Sequence, residues 1–130
     1  MSNRNLIPKD KHDLDSVRRL TQHSAEDIEE IFPILFEWLQ DINWPVAQEL
    51  SKVLPRYGNH LVPHIEAALK SGDTQWQYSL LQFLIRELPK ETCNLLLETI
   101  QRIAYHPTKG EVLEELDILA MNTIKIIQQR

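Results

Sequence analysis

The chain has 130 residues, with 14 Lys and Arg against 19 Asp and Glu and a formal net charge of −5. That length suits one domain with a modest core, and 42% hydrophobic with 25% charged residues is the make-up of a folded chain rather than a disordered one. Three glycines, Gly58, Gly72 and Gly110, leave no glycine-rich phosphate loop or dinucleotide turn, and the single cysteine, Cys93, excludes an internal disulfide framework and any multi-cysteine metal site.

The opening residues, Met1 to Asn5, are polar and lack the apolar stretch of a secretory signal. Residues 1–12 are expected to form an extended leader pinned by Leu6, Ile7 and Pro8. A short helix follows from about Asp13 to Gln22 through Leu14, Val17 and Leu20. Ser24, with Asp27 three residues on, can cap the next helix, and Ile28, Ile31, Phe32, Leu35, Leu39 and Ile42 continue one apolar stripe at helical spacing. Val46, Ala47, Leu50, Val53 and Leu54 make the next stripe, with Asn43 available as its cap; Leu61, Ile65, Ala68 and Leu69 make another. Asp73 can cap the helix carrying Trp76, Leu80, Leu81, Leu84 and Leu88. Leu96, Ile100 and Ile103 follow, and Thr108 with Glu111 has capping-box spacing ahead of the last stripe, Leu116 to Ile127. Gly58 and Gly72 stand where a left-handed residue ends a helix. The reading is six or seven helices and no sheet. No segment approaches the apolar length that spans a bilayer.

An internal repeat is visible. Adding 34 to Gln48, Leu50, Lys52, Leu54, Pro55 and Arg56 gives Gln82, Leu84, Arg86, Leu88, Pro89 and Lys90. The preceding turns, Asp41 to Trp44 and Asp73 to Trp76, correspond at an offset of 32, so two residues must be absorbed at the helix start. A third copy over Thr92 to Gln129 keeps the helix–turn–helix alternation without the register. Units of this length that cannot bury their apolar faces alone point to a stack of about three helical pairs. A plain helical bundle is the alternative. The leader Leu6-Ile7-Pro8-Lys9-Asp10-Lys11-His12-Asp13-Leu14, followed by Trp38-Leu39-Gln40-Asp41-Ile42-Asn43-Trp44-Pro45-Val46-Ala47, resembles a family of small bacterial HEAT-like helical-repeat domains of unknown function. The resemblance implies a fold and a bacterial origin and brings no catalytic residues with it.

Signals for chemistry are weak. His60 and His64 have the i, i+4 spacing of a ligand pair, but Pro63 lies between them and the HExxH pattern is absent. Cys93 falls in the first turn of a helix opened by Pro89, where a half-buried thiol is the plainer reading than a nucleophile. The acidic runs Glu26-Asp27-x-Glu29-Glu30 and Glu111-x-x-Glu114-Glu115-x-Asp117 lie at helix starts, where negative charge offsets the macrodipole. Trp38, Trp44 and Trp76 can seal helix pairs or anchor a partner, since indoles bury large area and keep one donor. Gln48, Lys52 and Arg56 form one i, i+4, i+8 ridge, and Gln82, Arg86 and Lys90 repeat it. On the concave side of a HEAT-like stack the two ridges would make a basic patch for an acidic partner segment; dipole compensation near helix ends is the alternative account.

The sequence therefore predicts an all-α, right-handed α-α superhelix of about three HEAT/armadillo-like pairs, in one domain over 13–130. The function expected is non-enzymatic and cytoplasmic: a protein-interaction module, such as a bacterial immunity or regulatory protein. Gln48, Lys52, Arg56, Gln82, Arg86, Lys90, Trp44 and Trp76 are its contact candidates, and no cofactor is called for. The partner is another protein rather than nucleic acid or membrane, because an acidic chain lacks the positive field those need. A homodimer covering an exposed end of the stack also fits. The rival readings are a nucleic-acid-acting enzyme or a small-ligand or metal-binding protein on the same scaffold.

Overall fold

The computed structural model describes residues 3–130, and every regular element among them is helical. Helix α1 (Leu14–Arg19) begins where Asp13 caps it, accepting hydrogen bonds from the Ser16 amide at 3.3 Å and the Ser16 hydroxyl at 2.7 Å. A 3-10 turn, Leu20–Gln22, carries it to the length read from sequence. Helix α2 (Ala25–Ile28) opens on the Ser24–Asp27 capping box.

The stripe from Ile28 to Ile42 is not one helix. Pro33 has no amide proton, and its ring would collide with the Glu29 carbonyl of a continuous helix. The backbone resets through a 3-10 turn, Glu29–Ile31, before α3 (Phe32–Glu37) starts with the proline in its first turn. Trp38–Gln40 closes α3 as another 3-10 turn.

Helix α4 (Pro45–Val53) lacks the cap expected of Asn43. Trp44 occupies the cap position without a side-chain bond, and Asp41 uses its carboxylate on the Asn43 amide at 3.0 Å. Part of the missing cap comes from the leader, where the Lys11 carbonyl accepts the Val46 amide at 3.0 Å. The leader itself is folded rather than extended: residues 4–6 make a 3-10 turn, and Leu6 and Pro8 are buried. Met1 and Ser2, which the expected leader included, lie outside the described residues.

Beyond α4 come α5 (Val62–Leu69), α6 (Thr74–Ser79), α7 (Lys90–Tyr105), α8 (Lys109–Leu113) and α9 (Leu116–Gln128). They pack in two rows. One runs through α1, α4, the continuation of α6 and α9; the other runs through α3, α5 and α7. The faces that meet between the rows include Phe32, Phe36, Leu50, Leu54, Ile65 and Leu69, all essentially inaccessible.

The two repeat copies differ at both ends. After Asp41 a turn intervenes before α4, whereas Asp73 caps α6 at once, accepting the Trp76 amide at 3.1 Å. Helix α6 then widens into a π turn, Leu80–Leu84, which takes in extra chain before the aligned Leu84. The early start and the wide turn together take up the two extra residues. The buried Thr123 hydroxyl of α9 faces this turn, 3.4 Å from the Leu81 carbonyl and 2.8 Å from that of Leu119.

At the other end, the chain runs helically through Leu54-Pro55 and breaks at Gly58, whose φ of 50° and ψ of −124° suit only glycine. At Leu88-Pro89 the helix stops before the proline, with Leu88 extended. Glu115, between α8 and α9, is left-handed at φ 57°. This conformation disfavours a side chain, so Glu115→Gly is expected to stabilise the fold by about 0.5 kcal/mol, read as a higher urea midpoint at unchanged slope.

Candidate functional site

The structure separates the basic residues that the repeat aligned. Gln48 and Lys52 stand one turn apart on α4, both exposed. Arg56 lies beyond α4 in the 3-10 segment Leu54–Leu61, and its guanidinium donates to the Thr21 carbonyl at 3.4 Å. Gln82 sits in the π turn and accepts from Arg86 at 3.2 Å; the Arg86 Nε is buried with no partner among the described residues. Lys90 is not on that helix. It is the first residue of α7, past the Leu88-Pro89 break, and its ammonium donates to the Arg130 carbonyl at 2.9 Å. The second ridge is therefore two elements, because the extended Leu88 turns the chain before the third position is reached.

The tryptophans also part company. Trp76 is inside α6 rather than in the turn, half-buried against the core, with its Nε1 buried and unpartnered among the described residues. Trp44 stands at the head of α4 and meets Trp38 edge-on, with ring centroids 5.5 Å apart. Together they line an open groove of about 360 Å³ whose other walls are Ile7, Pro8, Ile34, Glu37 and Gln40.

Ile34, Glu37 and Trp38 follow the i, i+3, i+4 spacing of one α3 face, so a helix, a turn and the leader converge here. Ile34 is the residue sequence reasoning missed; its signal was an apolar side chain standing off the buried stripe. On the far side of Gln40 a second groove, of about 330 Å³, includes Gln48, Gln75 and the exposed pair Tyr78 and Phe83, whose rings lie 6.0 Å apart.

The other chemical candidates resolve individually. His60 lies 3.7 Å from the Glu26 carboxylate, while His64 belongs to α5 and packs its ring on Phe32 and Phe36, both at 5.5 Å. Burial pushes the His64 pKa below its usual value against the pull of Glu29. Cys93 is fully buried, more than the half-buried thiol expected, and burial raises its pKa although Arg130 opposes the shift. A thiol so placed should react with Ellman-type reagents only at the rate of protein opening; labelling with and without denaturant tests this.

The acidic runs serve different ends. Glu26, Asp27, Glu29 and Glu30 line an open hollow with Asn3 and His23. Glu111 instead points inward, 2% exposed, and receives Arg102 through both carboxylate oxygens at 2.5 and 2.8 Å. It also accepts the Gln77 amide at 2.6 Å and the Thr108 amide at 2.8 Å. Burial works to raise this carboxyl, but the Arg102, Thr108 and Gln77 hydrogen bonds outweigh it and hold the pKa at about 2. The ion pair spans α7 and α8, and Gln77 ties it to α6 and, through the Leu69 carbonyl at 2.8 Å, to α5.

Among the described residues no helix is long and apolar enough to cross a membrane, and no group of three His, Cys, Asp or Glu side chains is placed to hold a metal ion. No curated protein matches the sequence. The model of a domain of unknown function, DUF5071, matches residues 6–124, and the chain belongs to that family.

Proposed function

We propose that this domain is a non-enzymatic, HEAT-like helical-repeat module that binds another protein in the cytoplasm. The observation that carries this reading is the Trp38–Trp44 groove: two large aromatic side chains, half-buried and paired edge-on, beside an exposed Ile34. Aromatic anchors at the mouth of an apolar groove are the usual centres of binding energy in protein interfaces. The two-row packing of helical pairs is consistent with a repeat stack, and a single buried thiol suits a reducing compartment.

The groove is favoured over the basic ridges as the contact. Arg56 and Lys90 are already hydrogen-bonded within the chain, and Arg86 is half-buried against Gln82. Lys52 alone among the four cations is exposed without a hydrogen-bond or ion-pair partner among the described residues.

The test is a pull-down from lysate of the source organism with three baits: wild type, Ile34→Glu and Lys52→Glu, each shown folded by circular dichroism. A protein kept by wild type and Lys52→Glu but lost by Ile34→Glu supports the groove. Loss with Lys52→Glu alone returns the contact to the ridge, and no specific capture by any bait counts against a binding module.

A further inference from the structure

We infer that the Trp38–Trp44 groove recognises a proline-rich segment in the polyproline II conformation that carries a basic residue; this rests on the protein-binding reading above. Three observations select that ligand. First, the indole N–H groups of Trp38 and Trp44 have no acceptor among the described residues, and unlike that of Trp76 they are not buried. Both tryptophans line the groove, so a ligand with free acceptors can meet donors that the protein itself leaves open.

An α-helix consumes all but its last four carbonyls internally, so along its length a docked helix could meet the indoles only through side chains. A β-strand needs an edge to pair with, and there is no strand among the described residues. Polyproline II has no internal hydrogen bonds, and its carbonyls are free to accept.

Second, the walls are apolar and angular. The edge-on indoles, Ile7, Pro8 and Ile34 offer faces against which pyrrolidine rings can stack, the way aromatic-lined grooves take proline-rich ligands. A preformed polyproline helix also loses little entropy on docking.

Third, Glu37 stands at the rim, exposed, with no ion-pair partner among the described residues. Among the described residues it is the only charged one in the lining, so charge complementarity assigns a lysine or arginine to the ligand next to its prolines.

The experiment uses the full chain labelled with nitrogen-15 and a synthetic proline–leucine peptide carrying one terminal arginine. The indole N–H resonances of Trp38 and Trp44 should move on titration, and that of Trp76 should stay. Saturation is expected in the micromolar to millimolar range. Replacing the peptide's arginine by glutamate should weaken binding about fivefold, the size of one exposed ion pair, and Glu37→Lys should reverse that preference. Ile34→Glu, at an exposed site that should not affect folding, should abolish the shifts.

Indole resonances that stay still at millimolar peptide overturn the proposal. If Ile34→Glu nevertheless loses its partner from lysate, the protein-binding reading stands and only the proline chemistry falls. Shifts that depend on protein concentration without peptide, with a dimer in sedimentation, also overturn it and give the groove to a second copy.

Discussion

Replacing Glu111 by alanine is expected to cost the fold about 2–3 kcal/mol, less than breaking a fully buried ion pair, because the Arg102 side chain left behind is 37% exposed to water. The loss would not be confined to one contact. The Arg102 guanidinium would lose both of its carboxylate acceptors, the Thr108 amide would lose its capping-box partner, and Gln77 would keep only the Leu69 carbonyl. Because α6, α7 and α8 meet at this carboxylate and Gln77 links it to α5, the variant should unfold at a lower urea concentration.

Glu111→Gln is the informative companion. It preserves shape and one acceptor but removes the charge, so it should fall between wild type and alanine. The same group predicts an acid transition. Its pKa is about 2 in the folded chain and near 4.5 when unfolded, so the unfolded state binds the proton first. The stabilisation is complete above about pH 4.5 and drains away as the pH falls towards 2. Urea midpoints measured across that window should drop for wild type and drop much less for Glu111→Gln.

Gly58→Ala should destabilise by about 1–3 kcal/mol, through backbone strain rather than crowding. A methyl group there would meet Thr92 Oγ1 at 3.5 Å, an ordinary contact. The cost comes from φ 50° with ψ −124°, a region closed to residues with a Cβ. Gly72, also at positive φ but with no atom within 4 Å of an added Cβ, separates the two effects. If Gly58→Ala matched wild type in urea midpoint, the kink would have to relax freely, and the tight passage from α4 into α5 would not depend on glycine.

Local signals were read well from the sequence. The Ser24–Asp27 and Thr108–Glu111 boxes and the Asp73 cap form as their spacing required, because each closes within a single turn. The apolar stripes named the core, since one face of each helix must leave water whatever its neighbours are. What failed was continuity. Pro33 splits a stripe whose spacing alone looks unbroken, and the Leu-Pro pair ends one helix yet lies within the other copy's helical run.

The basic ridges are not continuous for the same reason: the aligned residues do not fall in equivalent helices. Their partners, the Thr21 and Arg130 carbonyls, lie 35 and 40 residues away in the chain, beyond any local spacing argument. The aromatic groove was half legible. Trp44 was singled out, but its walls come from the leader and from the outward face of α3, which only the fold brings together.

The wide turn in α6 bears on how such a chain avoids pairing its own helices wrongly. Similar amphipathic segments laid side by side can exchange neighbours during collapse, because one greasy face serves about as well as another. The wide turn is distinctive, a buried stretch where the Thr123 hydroxyl meets the Leu81 carbonyl at one height only. Among the helices of its row, α9 brings Thr123 to that spot. A buried hydroxyl set against a polar turn thus helps mark the correct neighbour, favouring it over an impostor with an equally apolar face.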